Sequence, residues 1–274
     1  MNNRRQFLKK AGTGFLALST SSSFLPGINP GMGTEILPKK EDLFKIGIAG
    51  YTFRKLNLDR SLEMMSRVNV QYLCIKNFHL PFESTAEQIS EFHEKLKAKG
   101  ITGYAVGPIA MNSEADADQA FDYAKRAGVR LITGDSKVLP YVEKKIKEYD
   151  FRFAIHSYSN LDVVYERIKD LDPRIGFCHD VGYTRLSGLD PAEYTLKYSN
   201  RIYDMHIKDV TMASKEGKDC ELGRGVIDFA SLIKALRTTK YNGVCSLEFE
   251  KDADDPLPGV AESIGYFKGV INAV

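Results

Sequence analysis

The sequence predicts an α/β chain closed into a single-domain (β/α)8 barrel, and three observations carry that prediction. Eight short β-rich runs recur between residues 44 and 250. Stretches of helical spacing separate them, and strands that alternate with helices form parallel sheets. No Gly-rich G-x-G-x-x-G turn follows the first run, which argues against an open doubly wound sheet. Units of roughly 25 to 40 residues account for the chain without a second domain.

In chain order the runs begin with FKIGIAGYTF (44–53), YLCIKNF (72–78), ITGYAVGPI (101–109) and RLITGD (130–135). The second half contributes FRFAIHSY (151–158), RIGFCHDV (174–181), IYDMHIKDV (202–210) and VCSLEFE (244–250). Between runs, TAEQISEFHEKLKAKG and EADADQAFDYAKRAG have helical spacing. Each ends in basic residues and then Gly, as helix C-termini favour. Ser84 or Thr85 ahead of Glu87-Gln88, and Ser113 ahead of Glu114, are suited to N-capping.

Residues 1–40 stand apart as signal and linker, and the barrel takes 41–274. The run NRRQFLK is followed by a short apolar stretch, Ala11 to Leu18, too short to span a bilayer. It resembles the twin-arginine export signal of bacteria. That resemblance implies a periplasmic protein with no membrane contact once the signal is removed. With 38 basic and 36 acidic residues, the chain lacks the basic excess that a nucleic-acid partner requires. Four cysteines, at 74, 178, 220 and 245, form no C-x-x-C pair, and three sit in apolar strand-like runs. Buried free thiols are expected, since a passenger folded in a reducing cytoplasm needs no disulfide.

Side chains alternate between the faces of a strand, and the last four runs split cleanly by phase. One face holds Ala154, His156 and Tyr158 on the fifth run, then Cys178, Asp180 and Gly182 on the sixth. Asp204, His206 and Lys208 follow on the seventh, and Ser246, Glu248 and Glu250 on the eighth. The opposite faces are mostly apolar. In a barrel the polar sets point inward, and functional groups gather at strand C-terminal ends. His156, Asp180, His206 and Glu248 should therefore meet at matching heights. Two imidazoles with two carboxylates suit a divalent ion (Mn²⁺, Zn²⁺, Co²⁺, Fe²⁺ or Mg²⁺) rather than Ca²⁺. The bland alternative is a hydrogen-bonded ionic cluster, but two buried carboxylates without a cation are costly. His179 has the outward phase and reads as structural, His93 lies on a helix, and His79 sits in a loop past the second run.

The segments GFCHDVGYTRLSGLDP, RIYDMHIKDVT, GRGVIDFASLIKALRTTKYNGVCSLEFE and ESIGYFKGV resemble the xylose isomerase-like TIM barrels, the sugar isomerase/epimerase superfamily. The likeness extends over residues 44 to 270. It implies a divalent metal held by Glu, Asp, His and Glu from strands five to eight, with sugar bound at the strand ends. Carried over by position, those ligands fall on His156, Asp180, His206 and Glu248, with His156 standing where sugar epimerases have Glu. Two further departures are HSYS (156–159) for HNHG and DVGY (180–183) for D-x-G-H, which puts Tyr183 at a ligand or proton-carrier position.

The expected chemistry is enolisation. A metal would act as Lewis acid on a substrate carbonyl, with Glu248 or Glu250 as first choice of base and His79 or Tyr183 as alternatives. Lys208 could neutralise an oxyanion or pair with Asp204 or Glu250. Arg185, Arg224 and Tyr158 are candidate substrate contacts. The loss of one epimerase Glu leaves room for β-elimination or one-sided proton transfer. The leading expectation is an isomerase or epimerase of an unphosphorylated sugar. The rivals are a lyase or hydrolase of 3-keto-glycosides and a non-catalytic sugar-binding barrel. Five histidines are too few for a multi-zinc endonuclease. The expected partner is a small-molecule carbohydrate, and homo-oligomer formation is left open.

Overall fold

The computed structural model describes residues 42–274 apart from 157 and 159; the expected export signal and linker lie outside the described residues. Eight strands build the barrel: β1 (Lys45–Ala49), β2 (Tyr72–Ile75), β3 (Thr102–Met111), β4 (Leu131–Ser136), β5 (Arg152–His156), β6 (Ile175–Asp180), β7 (Ile202–Ile207) and, after a hairpin, β10 (Val244–Leu247). They close in the order β1-β10-β7-β6-β5-β4-β3-β2, and every adjacent pair is parallel. The eight expected runs are thus the eight staves. Several runs are longer than the strands they contain, because their last residues bend into the loops that carry the site. The hairpin, β8 (Asp209–Val210) and β9 (Asp219–Cys220), was not expected, since two-residue strands hold no readable period.

Helices α1 (Leu58–Arg67), α2 (Ala86–Ala98), α3 (Glu114–Arg126), α4 (Leu139–Tyr149) and α5 (Leu161–Ile168) alternate with the early strands. Thr85 and Ser113 close capping boxes at the starts of α2 and α3, with Gln88 and Asp116 answering from the first turn. Gly100 and Gly128 follow those helices at φ +63° and +72°, the left-handed terminator position. The connection from β6 to β7 holds two short helices where one was expected, α6 (Val181–Leu186) and α7 (Pro191–Lys197). Asp190 caps α7 and Pro191 opens it, which forces a restart. Helices α8 (Phe229–Thr238) and α9 (Leu257–Ala273) complete the ring.

Outward strand residues Phe153, Ile155, Phe177, Met205, Ile207 and Leu247 are buried against the helices. Each such side chain contributes about 1.5–3 kcal/mol of apolar burial. Inside the barrel, a lower polar layer plugs the axis. The Tyr104 hydroxyl donates to Asp204 Oδ1 at 2.9 Å and meets Ser246 Oγ at 2.5 Å, while Cys178 Sγ lies 3.6 Å from Asp204 Oδ2. Asp204 therefore belongs to this plug and makes no pair with Lys208. All four cysteines are free thiols.

Candidate metal centre and cavity

Each donor is fixed by backbone the sequence dictates. His156 ends β5, and His206 stands in β7. Asp180 ends β6 and caps α6, its Oδ1 accepting from the Tyr183 amide at 2.9 Å, so Oδ2 is left facing the barrel axis. Glu248 follows β10. Its amide donates to Ile207 O at 3.1 Å, and Thr52 clamps both neighbours by donating to Leu247 O and accepting from Phe249 N. Cα register pairs His156 with Cys178 but Asp180 with His206. Barrel strands are tilted, so side chains at one height come from staggered register positions.

The four predicted donors converge. His156 Nε2 lies 3.0 Å from His206 Nδ1, 3.5 Å from Asp180 Oδ2 and 3.9 Å from Glu248 Oε2; His206 Nδ1 lies 3.3 Å from Glu248 Oε2. Ligand atoms about 2.1 Å from a shared ion in tetrahedral geometry stand roughly 3.4 Å from one another. One donor atom from each of the four residues lies within 4.8 Å of all the others, and all four side chains are buried. The donor set therefore fits a divalent ion of the nitrogen–oxygen class. Without an ion, one of the two facing imidazole nitrogens has to carry a proton.

Lys208 completes the cluster. Its Nζ sits 2.8 Å from Glu248 Oε2, 2.7 Å from Glu250 Oε1 and 3.3 Å from Asp180 Oδ2. Gly182 makes room for it: a Cβ there would stand 2.3 Å from Lys208 Cγ. Three carboxylates against one ammonium leave two negative charges for a dication to balance. Burial opposes every charged form here, yet the neighbours prevail. Despite burial, His206 and Lys208 hold the Glu248 carboxyl well below its usual range. Burial disfavours the charged His206 ring too, but the Glu248 carboxylate beside it draws its pKa upward. The cluster attracts positive charge.

A cavity of about 230 Å³ opens over the cluster, lined by Tyr51, Lys76, Pro108, His156, Tyr158, Tyr183, Glu248 and Glu250. Tyr158 stands 58% exposed at its mouth, its ring edge-on to His156 and Tyr183. The Lys208 ammonium packs 5.0 Å from the Tyr183 ring centroid. Two larger hollows, about 450 and 420 Å³, share Arg130 and Phe151 near the strands' N-terminal ends and include none of the four donors.

Three expected site residues lie elsewhere. His79 is buried outside the cavity, its Nε2 3.0 Å from Leu56 O and 3.2 Å from Ser61 Oγ, so it is no base for the pocket. Arg224 is clamped in two contacts to Glu262 on α9, with its side chain 59% exposed. Arg185 lies in the last turn of α6 and does not line the cavity. The structural role of His79 has a pH signature. Burial lowers its pKa below the ordinary imidazole value of 6.5. The unfolded chain therefore binds the proton first. The stability that His79 confers is complete above that value and lost as pH falls through it. Urea midpoints at pH 7 and 5.5 should show a gap that narrows in His79→Asn; an unchanged gap would contradict this reading.

Sequence reasoning missed Lys76, Tyr51 and Pro108. Lys76 shares its strand phase with Cys74 in YLCIKNF, the same signal that located the other inward groups. Also missed was Asp209, fully buried beneath the loop after β7. Its Oδ1 accepts from the amides of Val210 (2.9 Å) and Ile227 (3.2 Å), and its Oδ2 from those of Gly223 (2.9 Å) and Gly225 (3.0 Å). One carboxylate thus fastens the GRGVI loop to hairpin strand β8, two residues past the end of the strand that carries His206.

A family model described as "Xylose isomerase-like TIM barrel" matches residues 144–270, the stretch that holds all four donors. Among curated proteins, the chain is 26% identical to the rhizopine catabolism protein MocC of Rhizobium meliloti over 145 residues, 45% of this chain and 44% of that protein. It is 30% identical to the inosose dehydratase of Geobacillus thermodenitrificans over 211 residues, 68% of each. The chain thus spans from under half to about two thirds of the length of these curated relatives. Among solved structures, the IOLI protein with a bound zinc atom is similar in fold, at a TM-score of 0.68, 15% identity, and coverage of 84% of this chain and 99% of that one. Closed barrel, matched family model and a 30% identical relative agree: the chain belongs to the xylose isomerase-like TIM barrel family.

Proposed function

We propose that the protein is a divalent-metal-dependent lyase that dehydrates an unphosphorylated keto-polyol or keto-sugar by removing the proton beside its carbonyl. The observation that carries this reading is the placement of the acids. Glu248 and Glu250 both come from the end of β10 and share the Lys208 ammonium, while the fifth-strand position is an imidazole. Epimerisation by paired carboxylates needs one on each face of the substrate carbon; Glu248 and Glu250 share one wall. A bound divalent ion, held by His156, Asp180, His206 and Glu248, would polarise the carbonyl as a Lewis acid. Glu248, or Glu250 beside it, accepts the α-proton. Lys208 keeps the charge of that wall in balance. Tyr158 and Tyr183 offer ring faces and hydroxyls to the substrate.

The cavity, at about 230 Å³, is below the roughly 300–1,000 Å³ usual for drug-sized ligands and suits a single ring. The 30% identical relative is an inosose dehydratase, a lyase of a pentahydroxycyclohexanone, and the zinc in the IOLI structure accords with metal dependence. Twin-arginine export, proposed from NRRQFLK, would bring the protein to free rather than phosphorylated substrates. Isomerisation is the second reading, favoured by two adjacent carboxylates that could pass a proton between neighbouring carbons on one face.

Elemental analysis of the purified protein should find close to one transition metal per chain. Incubation with inosose, free ketohexoses and 3-keto-glucosides in D₂O, followed by NMR, separates the outcomes. Solvent deuterium beside the carbonyl with loss of water supports the lyase, and deuterium in a rearranged ketose supports the isomerase. Binding without exchange would leave a sugar-binding barrel instead.

A further inference from the structure

The ring order places β2 four staves from β6 in either direction, so Lys76, just past β2, faces the donor cluster across the barrel axis. It differs from the other cation at the site. Lys208 is tied to three carboxylates. Lys76 has no ion pair among the described residues; its Nζ donates to Pro108 O at 2.9 Å and stands 5.8 Å from the Tyr51 ring centroid. An ammonium has three N–H donors, so two remain for whatever fills the cavity. The stem is held as well: a Cβ on Gly50 would lie 3.3 Å from both Cβ and Cγ of Lys76. Burial lowers its pKa from the usual lysine value, which eases release of a proton.

We propose, resting on the dehydratase reading above, that Lys76 is a catalytic residue that protonates the departing hydroxyl from β2, two staves round the barrel from the strand that leads to Glu248. Dehydration needs two proton transfers. The α C–H bond breaks, its proton passes to the Glu248 carboxylate, and its electron pair forms the enolate. The enolate electrons then form the new C=C bond as the β C–O bond breaks. The departing oxygen takes a proton from the Lys76 ammonium and leaves as water. Glu248 ends as the acid and Lys76 as the amine, and solvent at the open mouth restores both. No oxidant or further reactant enters.

The test uses pentahydroxycyclohexanone as probe with the metal-loaded full chain, following α-deuterium exchange and water loss separately, and metal content for each variant. In Lys76→Gln and Lys76→Arg, exchange should stay within about threefold of the unaltered protein while water loss falls by about 10²–10³-fold. Arg retains the charge but does not give up its proton, so Lys76→Arg should hold KM and lose kcat. Metal content should not change in either variant. Water loss by Lys76→Gln within threefold of the unaltered rate overturns the assignment. So does a joint fall of exchange and water loss in Lys76→Arg. An unaltered protein that exchanges no α-proton defeats the lyase reading and this assignment together, whereas fully active Lys76 variants defeat the assignment alone.

Discussion

Replacing Glu248 by Gln should slow α-proton exchange by about 10³-fold, within the range that a positioned base contributes. Gln keeps the shape of the side chain and one oxygen, but it cannot take up a proton. The change also withdraws a charge from the cluster. His206 Nδ1 and Lys208 Nζ each lose a carboxylate oxygen, at 3.3 and 2.8 Å, and metal affinity should drop by at least tenfold. Deuterium incorporation by NMR and a chelator-competition titration read the two effects separately. If Glu248→Gln still exchanges at the unaltered rate while Glu250→Gln does not, the base is Glu250. If both variants exchange normally, neither carboxylate is the base, and the proposed chemistry has lost its central group.

Asp209→Ala should be the most destabilising single change near the site. Its carboxylate satisfies four backbone amides, and removing it leaves the buried amides of Val210 and Ile227 without an acceptor and frees the partly exposed loop at Gly223 and Gly225. Hydrogen bonds to charged groups are worth about 1.5–3 kcal/mol each, and part of the loss is recovered as the loop relaxes. A net cost of about 3–5 kcal/mol is expected, or a fall in Tm of roughly 10 °C for a domain of this size. Asp209→Asn keeps one carbonyl acceptor and should lose about half as much. Circular dichroism melts check both values. A Tm within 2 °C of the unaltered protein for Asp209→Ala would show that the loop is fastened by something else.

The barrel was legible because its signals are local and repeated. Alternation located the inward face of each late strand, and capping residues with terminal glycines marked helices α2 and α3. The same alternation picked out the four side chains that meet at the strand ends, since barrel closure turns a shared phase into proximity. It failed where no period exists. His79 follows β2 in a loop, and only tertiary packing decides that its ring meets Ser61 and the Leu56 carbonyl. Arg224 is drawn off by Glu262, 38 residues later on α9. Asp209 was invisible for a different reason: its partners are backbone amides, and any residue type supplies those. Lys76 was readable in principle, since it shares its phase with Cys74, but a lone cation at the end of a short apolar strand stands out less than the paired acids and imidazoles of the last four.

The triple embrace of Lys208 bears on when an ion can arrive. Carboxylates crowded without any counter-charge would resist assembly, and such a protein would have to await its metal before folding. Here a covalently attached ammonium is always on hand, so the walls of the cup can form while it is vacant. The supply of metal, rather than the folding step, would then decide which ion takes the seat.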